Sequence, residues 1–395
     1  MSDAADRSLT IVVVPDSFGG ALDSVGVAAA IAAGWSGVRP DDTVVRRPMA
    51  DGGEGTLAAV ADALGDAAER RTTATTDPLG RPVDADWLLL DEGRGACIEM
   101  AAASGLARLG PDERTPANAR MASTRGTGDL IRAALDAGVE RITIGLGGSA
   151  TTDGGSGLLR ALGARFVDRD GNEVPEGGAA LANVSRIDAG GLDARLAGVT
   201  LVVASDVTNP LCGPRGAAAT YGPQKGADPA AVEELDAALV AHGRAIEAAT
   251  GRLVADLPGS GAAGGTTAGL IGFTGAMVRP GVQVVADLVG LAEALETADL
   301  VITGEGRADE QTLAGKAAMG VATLAGARRT PVVLLCGGLG PGAEALELAT
   351  ALAVVQPIVD RPMELASAMA DTERLLTVAA GRLARSIGIG IGLAE

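Results

Sequence analysis

Aromatic side chains are nearly absent from this chain, at 2% of its 395 residues. A core without rings must be packed with Val, Leu, Ile and Ala, and a chain of this length can bury a large one without disulfide or metal staples. Cysteine is scarce as well. Cys97, Cys212 and Cys336 stand far apart with no CxxC spacing, which argues against a disulfide framework or a zinc site. The one histidine, His242, lies in the helical stretch LVAHGRAIEAA and is expected on the helix surface, so acid–base chemistry falls to carboxylates. No run approaches the ~20 continuous apolar residues of a membrane helix. The amino terminus, MSDAADRS, is polar and acidic, unlike a secretory signal, and a cytoplasmic location is expected. Positive charge is in deficit, with a formal net charge of −18. That balance disfavours nucleic acid and anionic membrane as partners, because phosphate backbones demand basic patches.

Lysine is rarer still. Only Lys225 and Lys316 occur, in the glycine-bearing segments GPQKGA and AGKAAMG, while arginine supplies all other basic charge. A compact ammonium serves phosphate as a point charge where a planar guanidinium fits poorly. Both lysines are therefore candidate phosphate ligands.

What is abundant is alternation. Apolar runs at Thr10–Val14, Arg141–Ile144, Leu201–Val203, Leu300–Ile302, Val332–Leu335 and Ala353–Val355 end in Gly, Asp, Pro or other turn residues. Continuous rather than alternating apolar runs indicate strands covered on both faces. Ala-rich helical stretches separate them, at Val25–Trp35, Thr56–Leu64, Thr127–Ala137, Ala230–Ala248 and Leu365–Ile387. The fold class is α/β, and the length suits two domains. From about Thr72 to Met100 the pattern changes to antiparallel strands around a DPLGRP turn. A second domain is expected over 73–289, inserted into a parallel-sheet domain made from 1–72 and 290–395.

Glycine and carboxylates concentrate where the strands end, in PDSFGG (15–20), MADGGEGT (49–56), GLGGSATTDGGSG (145–157) and TGEGRADEQTLAGK (303–316). SDVTNPLCGPRGA and YGPQKGA follow between 205 and 227. Ligands of open α/β sheets sit outside the carboxyl ends of strands, and glycine-rich turns there form anion-binding nests. Carboxylates beside such nests repel phosphate unless a divalent cation intervenes, so the pattern suggests metal-bound nucleotide phosphates. GLGGSA also matches GxGxxG/A, with Asp168 about 20 residues on, the spacing of a dinucleotide site; an NAD-binding dehydrogenase is the rival reading. Asp206, ending LVVASD, and Asp309, in GRADEQ, are the candidate general bases.

These clusters, in this order, resemble the type I glycerate kinases from near Thr10 to near Leu383. PDSF, PMADGGEGT, GLGGSATTDGGSGLLRALGARF, SDVTNPLCGP, YGPQKGA, PGSGAAGG, RPGVQVV and LVITGEGRADEQTLAGK carry the likeness. The resemblance implies a Rossmann-like domain formed by both chain ends, an inserted middle domain, and an active site in the cleft between them. It also implies transfer of the γ-phosphoryl group of ATP to a hydroxyl of D-glycerate, commonly giving 2-phosphoglycerate. Asp206 and Asp309, with Arg307, would then be catalytic. Asp153 and Glu305 would hold Mg²⁺. Gly147, Gly148, Ser149, Thr151, Gly154, Gly155, Gly304 and Gly306 would cradle the nucleotide, with Lys225, Lys316 or Arg307 neutralising charge. Asp16, Ser17, Asp51, Gly52, Gly53 and Glu54 would line the acceptor side. The partners implied are ATP and a small-molecule acceptor, with a homodimer left open.

The sequence departs from the family pattern at several places. DSFKGSL becomes Asp16-Ser17-Phe18-Gly19-Gly20-Ala21-Leu22, losing a lysine at position 19. Arg125 replaces a tyrosine, Asp129 a glutamate, Thr115 an asparagine and Ala318 a proline. Arg125, with Arg120, would compensate for the missing lysine. A guanidinium there suits a carboxylate or phosphonate bidentately, which opens the alternative of a hydroxyalkylphosphonate or other hydroxy acid as acceptor. A non-catalytic nucleotide-binding protein is the further alternative.

Overall fold

The computed structural model describes residues 8–313, 317–347 and 352–393. Strands β1 (Thr10–Val13) and β2 (Thr43–Arg46) open the chain. Then come β3 (Glu69–Thr76), β4 (Pro82–Leu90), β5 (Gly95–Glu99), β6 (Arg141–Gly145), β7 (Arg165–Val167), β8 (Arg186–Asp188), β9 (Thr200–Ala204) and β10 (Met277–Arg279). β11 (Leu300–Glu305), β12 (Val332–Cys336) and β13 (Val354–Pro357) close it.

The first compact unit comprises Met1–Ala50, Ala58–Gly65 and Val282–Glu395. Its sheet runs β13-β12-β11-β1-β2 with every neighbouring pair parallel. β11 and β12 are buried along their whole length, which explains their unbroken apolar runs: such strands meet packed side chains on both faces. Small residues take the place of rings in the helix packing. A Cβ added to Gly34, in the helix Ser24–Ser36, would lie 2.1 Å from the carbonyl oxygen of Thr377, in the helix Thr372–Leu393. Trp35 is an aromatic exception on that helix, fully buried with its indole Nε1 donating to Asp42 at 2.9 Å. Thr372–Leu393 is long and apolar enough by composition to cross a membrane, but Leu375, Leu376, Ala379 and Ala380 on it belong to the core of this unit. The stretch Leu365–Ile387, read as one helix, is two, broken at Asp371.

The second unit comprises Asp51–Leu57 and Asp66–Gly281. Its sheet runs β10-β9-β6-β5-β4-β3, parallel from β10 to β5 and antiparallel from β5 to β3. β7 and β8 form a separate antiparallel pair. The edge strand β3 carries Glu69, Arg70 and Arg71 exposed, and charge on an edge discourages further strand pairing. The longest helix of this unit, Pro229–Thr250, starts where Asp228 accepts from Ala231 N–H at 2.8 Å and ends at the left-handed Gly251; Pro at its first position and Gly past its end are the expected punctuation. The parallel strands β6, β9 and β10 run in one direction, so the glycine-rich and acidic loops that follow them leave the same edge of the sheet.

Candidate active site

After β6 the chain turns through Gly145–Gly155 before the short helix Ser156–Ala161 begins. Two contacts explain why glycine is needed there. A Cβ on Gly147 would stand 2.3 Å from Gly53 Cα, and one on Gly145 would stand 2.4 Å from Gly52 O. The MADGGEGT segment therefore lies backbone against backbone on the loop, with Gly147 N–H donating to Gly52 O at 3.3 Å. Gly148, Gly154 and Gly155 have positive φ, at 72°, 62° and 76°, conformations that side chains disfavour.

Asp153, the expected metal ligand of this loop, is held by the protein's own donors. It is fully buried, and its carboxylate accepts from Thr124 N at 2.9 Å, Thr124 Oγ1 at 2.8 Å, Gly157 N at 3.1 Å and Gly155 N at 3.2 Å. Burial raises its pKa and these hydrogen bonds oppose the shift. Oδ2 takes three of these bonds and Oδ1 the fourth, and with them Asp153 anchors the start of the Ser156–Ala161 helix. His242 also differs from expectation. It is fully buried rather than on a helix surface, with Nε2 2.9 Å from Gly154 O, and burial pushes it down to about 4. A neutral imidazole thus donates to the loop carbonyl and braces the Gly154 turn. Lys225 is buried as well, donating to Ser149 Oγ at 2.9 Å and Thr151 O at 2.6 Å.

A cavity of about 340 Å³ opens beside this loop, lined by Asp51, Gly53, Gly147, Asp206, Thr208, Asn209 and Tyr221 among others. Asp206 follows β9. Its Oδ1 accepts from Gly281 N–H at 3.1 Å, and its pKa is raised, first by burial and then by the charge of Asp51. Gly281 has no room for a side chain, since a Cβ would lie 1.8 Å from Asp51 O. Glu54 is exposed near the same segment. Tyr221, the only tyrosine, donates its hydroxyl to Asn209 Oδ1 at 2.9 Å, and Asn209 in turn donates to Arg215 O at 2.7 Å. Sequence reasoning passed over Asn209 and Tyr221 even though both stand inside quoted motifs. It also passed over Glu99, which ends β5 buried and accepts from Leu57 N–H at 2.7 Å.

Arg125 opens the helix Arg125–Asp136. Its guanidinium is ion-paired with Glu176, Nε donating to Oε1 at 2.6 Å, and that hydrogen bond raises its pKa. Arg120 is likewise engaged, with Glu234 at 2.6 Å. Asp168, which the dinucleotide reading places on a ribose, closes an exposed turn by accepting from Asp170 and Asn172 N–H, both at 2.9 Å.

In the first unit, the loops after β1 and β11 lie side by side. Asp16 N–H donates to Gly304 O at 2.8 Å, Ser17 N–H donates to Asp16 Oδ1 at 2.6 Å, and a Cβ on Gly306 would meet Phe18 Cα at 3.4 Å. Phe18 is buried in the core, while a Cβ on Gly19 would meet nothing within 4 Å. Glu305 is buried at the end of β11, beside Cys336 on β12. Arg307 is exposed and pairs with Asp309 at 3.3 Å; Asp309 N–H donates to Thr312 Oγ1 at 3.1 Å. Lys316 lies outside the described residues.

A sequence model described as the glycerate kinase family matches residues 11–388. The chain belongs to the glycerate kinase family. It is 44% identical over 375 residues to the glycerate kinase of Halalkalibacterium halodurans, covering 95% of this chain and 97% of that one. To the glycerate 2-kinase of Escherichia coli K12 it is 45% identical over 331 residues, covering 84% of this chain and 86% of the other. The Salmonella typhimurium LT2 protein whose crystal structure was assigned as glycerate kinase 2 superposes with a TM-score of 0.86 at 42% identity, covering 97% of this chain and 99% of its own. As a member of this family the chain is a small-molecule kinase, and its α/β fold with parallel sheets is the family's own.

Proposed function

We propose that the chain transfers the γ-phosphoryl group of Mg-ATP to a hydroxyl of D-glycerate, giving 2-phosphoglycerate, as a cytoplasmic enzyme that works on small molecules and not on nucleic acid or membrane. The observation that carries this reading is Asp206. Its carboxylate follows β9, lines the cavity, is held by Gly281 N–H, and has a pKa raised by burial and by Asp51. Such a group can accept a hydrogen bond from the acceptor hydroxyl and take its proton as the oxygen bonds to phosphorus. Phosphoryl transfer has a loose transition state, so aligning that oxygen counts for more than basicity.

The residues present fit Mg²⁺. Among the described residues no three His, Cys, Asp or Glu side chains gather as a metal cluster, and Mg²⁺ needs only one or two carboxylates together with phosphates and water. Asp51 and Asp206 line one cavity and repel each other electrostatically, a repulsion that a divalent cation relieves. Asp51 would hold the ion on this unit, and the chemistry supplied is neutralisation of phosphate charge. Gly147, Gly148 and Ser149 are the proposed phosphate loop. In the first unit Gly304, Gly306, Arg307 and Lys316 keep their proposed phosphate role, Glu305 its metal role, and Asp16 and Ser17 their acceptor role. Arg125, on which a hydroxyalkylphosphonate acceptor would rest, is ion-paired with Glu176, and glycerate is the acceptor we favour.

Asp206→Asn keeps shape and removes the proton acceptor. Turnover of glycerate should fall on the order of 10²–10³-fold, as for loss of a positioned catalytic group, with the KM for Mg-ATP little changed. Near wild-type turnover would withdraw Asp206 from the chemistry.

A further inference from the structure

Lys225 presents a problem of charge. It closes the single turn Pro223–Lys225, before the left-handed Gly226, and is 2% exposed. Two hydrogen bonds are made by its ammonium, to Ser149 Oγ at 2.9 Å and to Thr151 O at 2.6 Å, and both acceptors are neutral. Among the described residues no ion pair includes it. Asp153 is the acidic group whose field reaches it, but that carboxyl is hydrogen-bonded to Thr124, Gly155 and Gly157. Asp228, three residues on, is spent capping the helix Pro229–Thr250. A buried charge without a counter-ion is costly. What the two bonds do hold is the loop Gly147–Thr151, whose Ser149 is 9% exposed.

We propose that Lys225 is a positioning residue and the buried counter-charge of the nucleotide phosphates: it acts through Ser149 and the Thr151 carbonyl without touching the nucleotide, and nucleotide binding draws a proton from solvent onto it. The inference rests on the reading of Gly147–Ser149 as the phosphate loop. It differs from a direct lysine–phosphate contact, which 2% exposure denies. Burial pushes the ammonium down to about 7, with Asp153 pulling the other way, so in the nucleotide-free enzyme a fraction of the molecules carries a neutral amine at physiological pH. Phosphate charge next to Ser149 favours the ammonium. Nucleotide therefore binds the protonated form more tightly, and affinity falls as pH rises through the free-enzyme value, tenfold for each unit by which the nucleotide raises it.

The test is calorimetric titration of the whole enzyme with Mg-ADP at about pH 7 and about pH 9. The wild type should lose about tenfold in affinity over that range. Lys225→Met should bind more weakly at about pH 7 and show no such loss, while Lys225→Arg, permanently charged, should also lack the pH dependence. Circular dichroism checks that the variants fold. Should they not, the wild type alone decides: titration at about pH 8 in Tris and in HEPES, buffers of different ionisation heat, should reveal net proton uptake. Binding with no uptake and no pH dependence overturns the proposal alone. No binding at any pH removes the nucleotide reading and the proposal together.

Discussion

Gly147→Ala tests how the site is built. The added Cβ would stand 2.3 Å from Gly53 Cα and 3.2 Å from Gly53 N, both backbone atoms that cannot rotate away. Carbon atoms rest at about 3.5–4.0 Å, so the two segments must part by more than about 1 Å. A displacement of that size between a reacting group and its partner costs about 10²-fold in rate, and overpacking costs about 1–3 kcal/mol in stability. Initial rates at saturating Mg-ATP and glycerate, with thermal unfolding of the same preparation, measure both. Gly198→Ala is the control. Its Cβ meets nothing within 4 Å, so turnover should hold and stability should shift by less than about 1 kcal/mol. A Gly147→Ala enzyme with wild-type kcat and melting temperature would refute the backbone-on-backbone account of the loop.

Two further outcomes follow from the same geometry. A Cβ at position 19 meets nothing within 4 Å, so Gly19→Lys should fold normally and raise kcat/KM for glycerate on the order of 10- to 100-fold by restoring a positioned charge; an unchanged or lower value would show that position 19 has no part in the reaction. His242→Phe removes the donor to Gly154 O and should cost about 1–3 kcal/mol in unfolding experiments. Because burial holds His242 at about 4, below its ordinary 6.5, the unfolded chain takes up the proton first. Wild-type stability should therefore fall as pH drops from 6.5 toward 4, by on the order of 3 kcal/mol; identical acid profiles for both proteins would contradict this.

Much of the fold was legible because burial on both faces writes itself into composition. β1, β6, β9, β11 and β12 are largely apolar runs that form strands near the expected residues; β13 also forms near its expected residues, though it is an edge strand with Val354 exposed. β2 was missed because it is a four-residue edge strand with no fully buried position. β7, β8 and β10 have three residues each, too few to show a period. Thr372–Leu393 runs further than expected because SIGIGIGL, poor in helix formers, continues a helix already docked on the core. Within the site, glycine and acid loops could be placed at strand ends, but the state of each charged group could not. Asp153 is consumed by Thr124, 29 residues away; Arg125 by Glu176, 51 away; His242 by Gly154, 88 away. Which partner satisfies a buried polar group is decided by tertiary packing, and a motif records only that the residue type is needed.

The central claim is phosphoryl transfer to glycerate. Incubating the purified chain with Mg-ATP and D-glycerate, and following products by phosphorus NMR, tests it most directly. ADP and phosphoglycerate should form in equal amounts, with phosphorus on the oxygen at carbon 2. Release of ADP without phosphoglycerate, or no glycerate-dependent ADP at all, would contradict it.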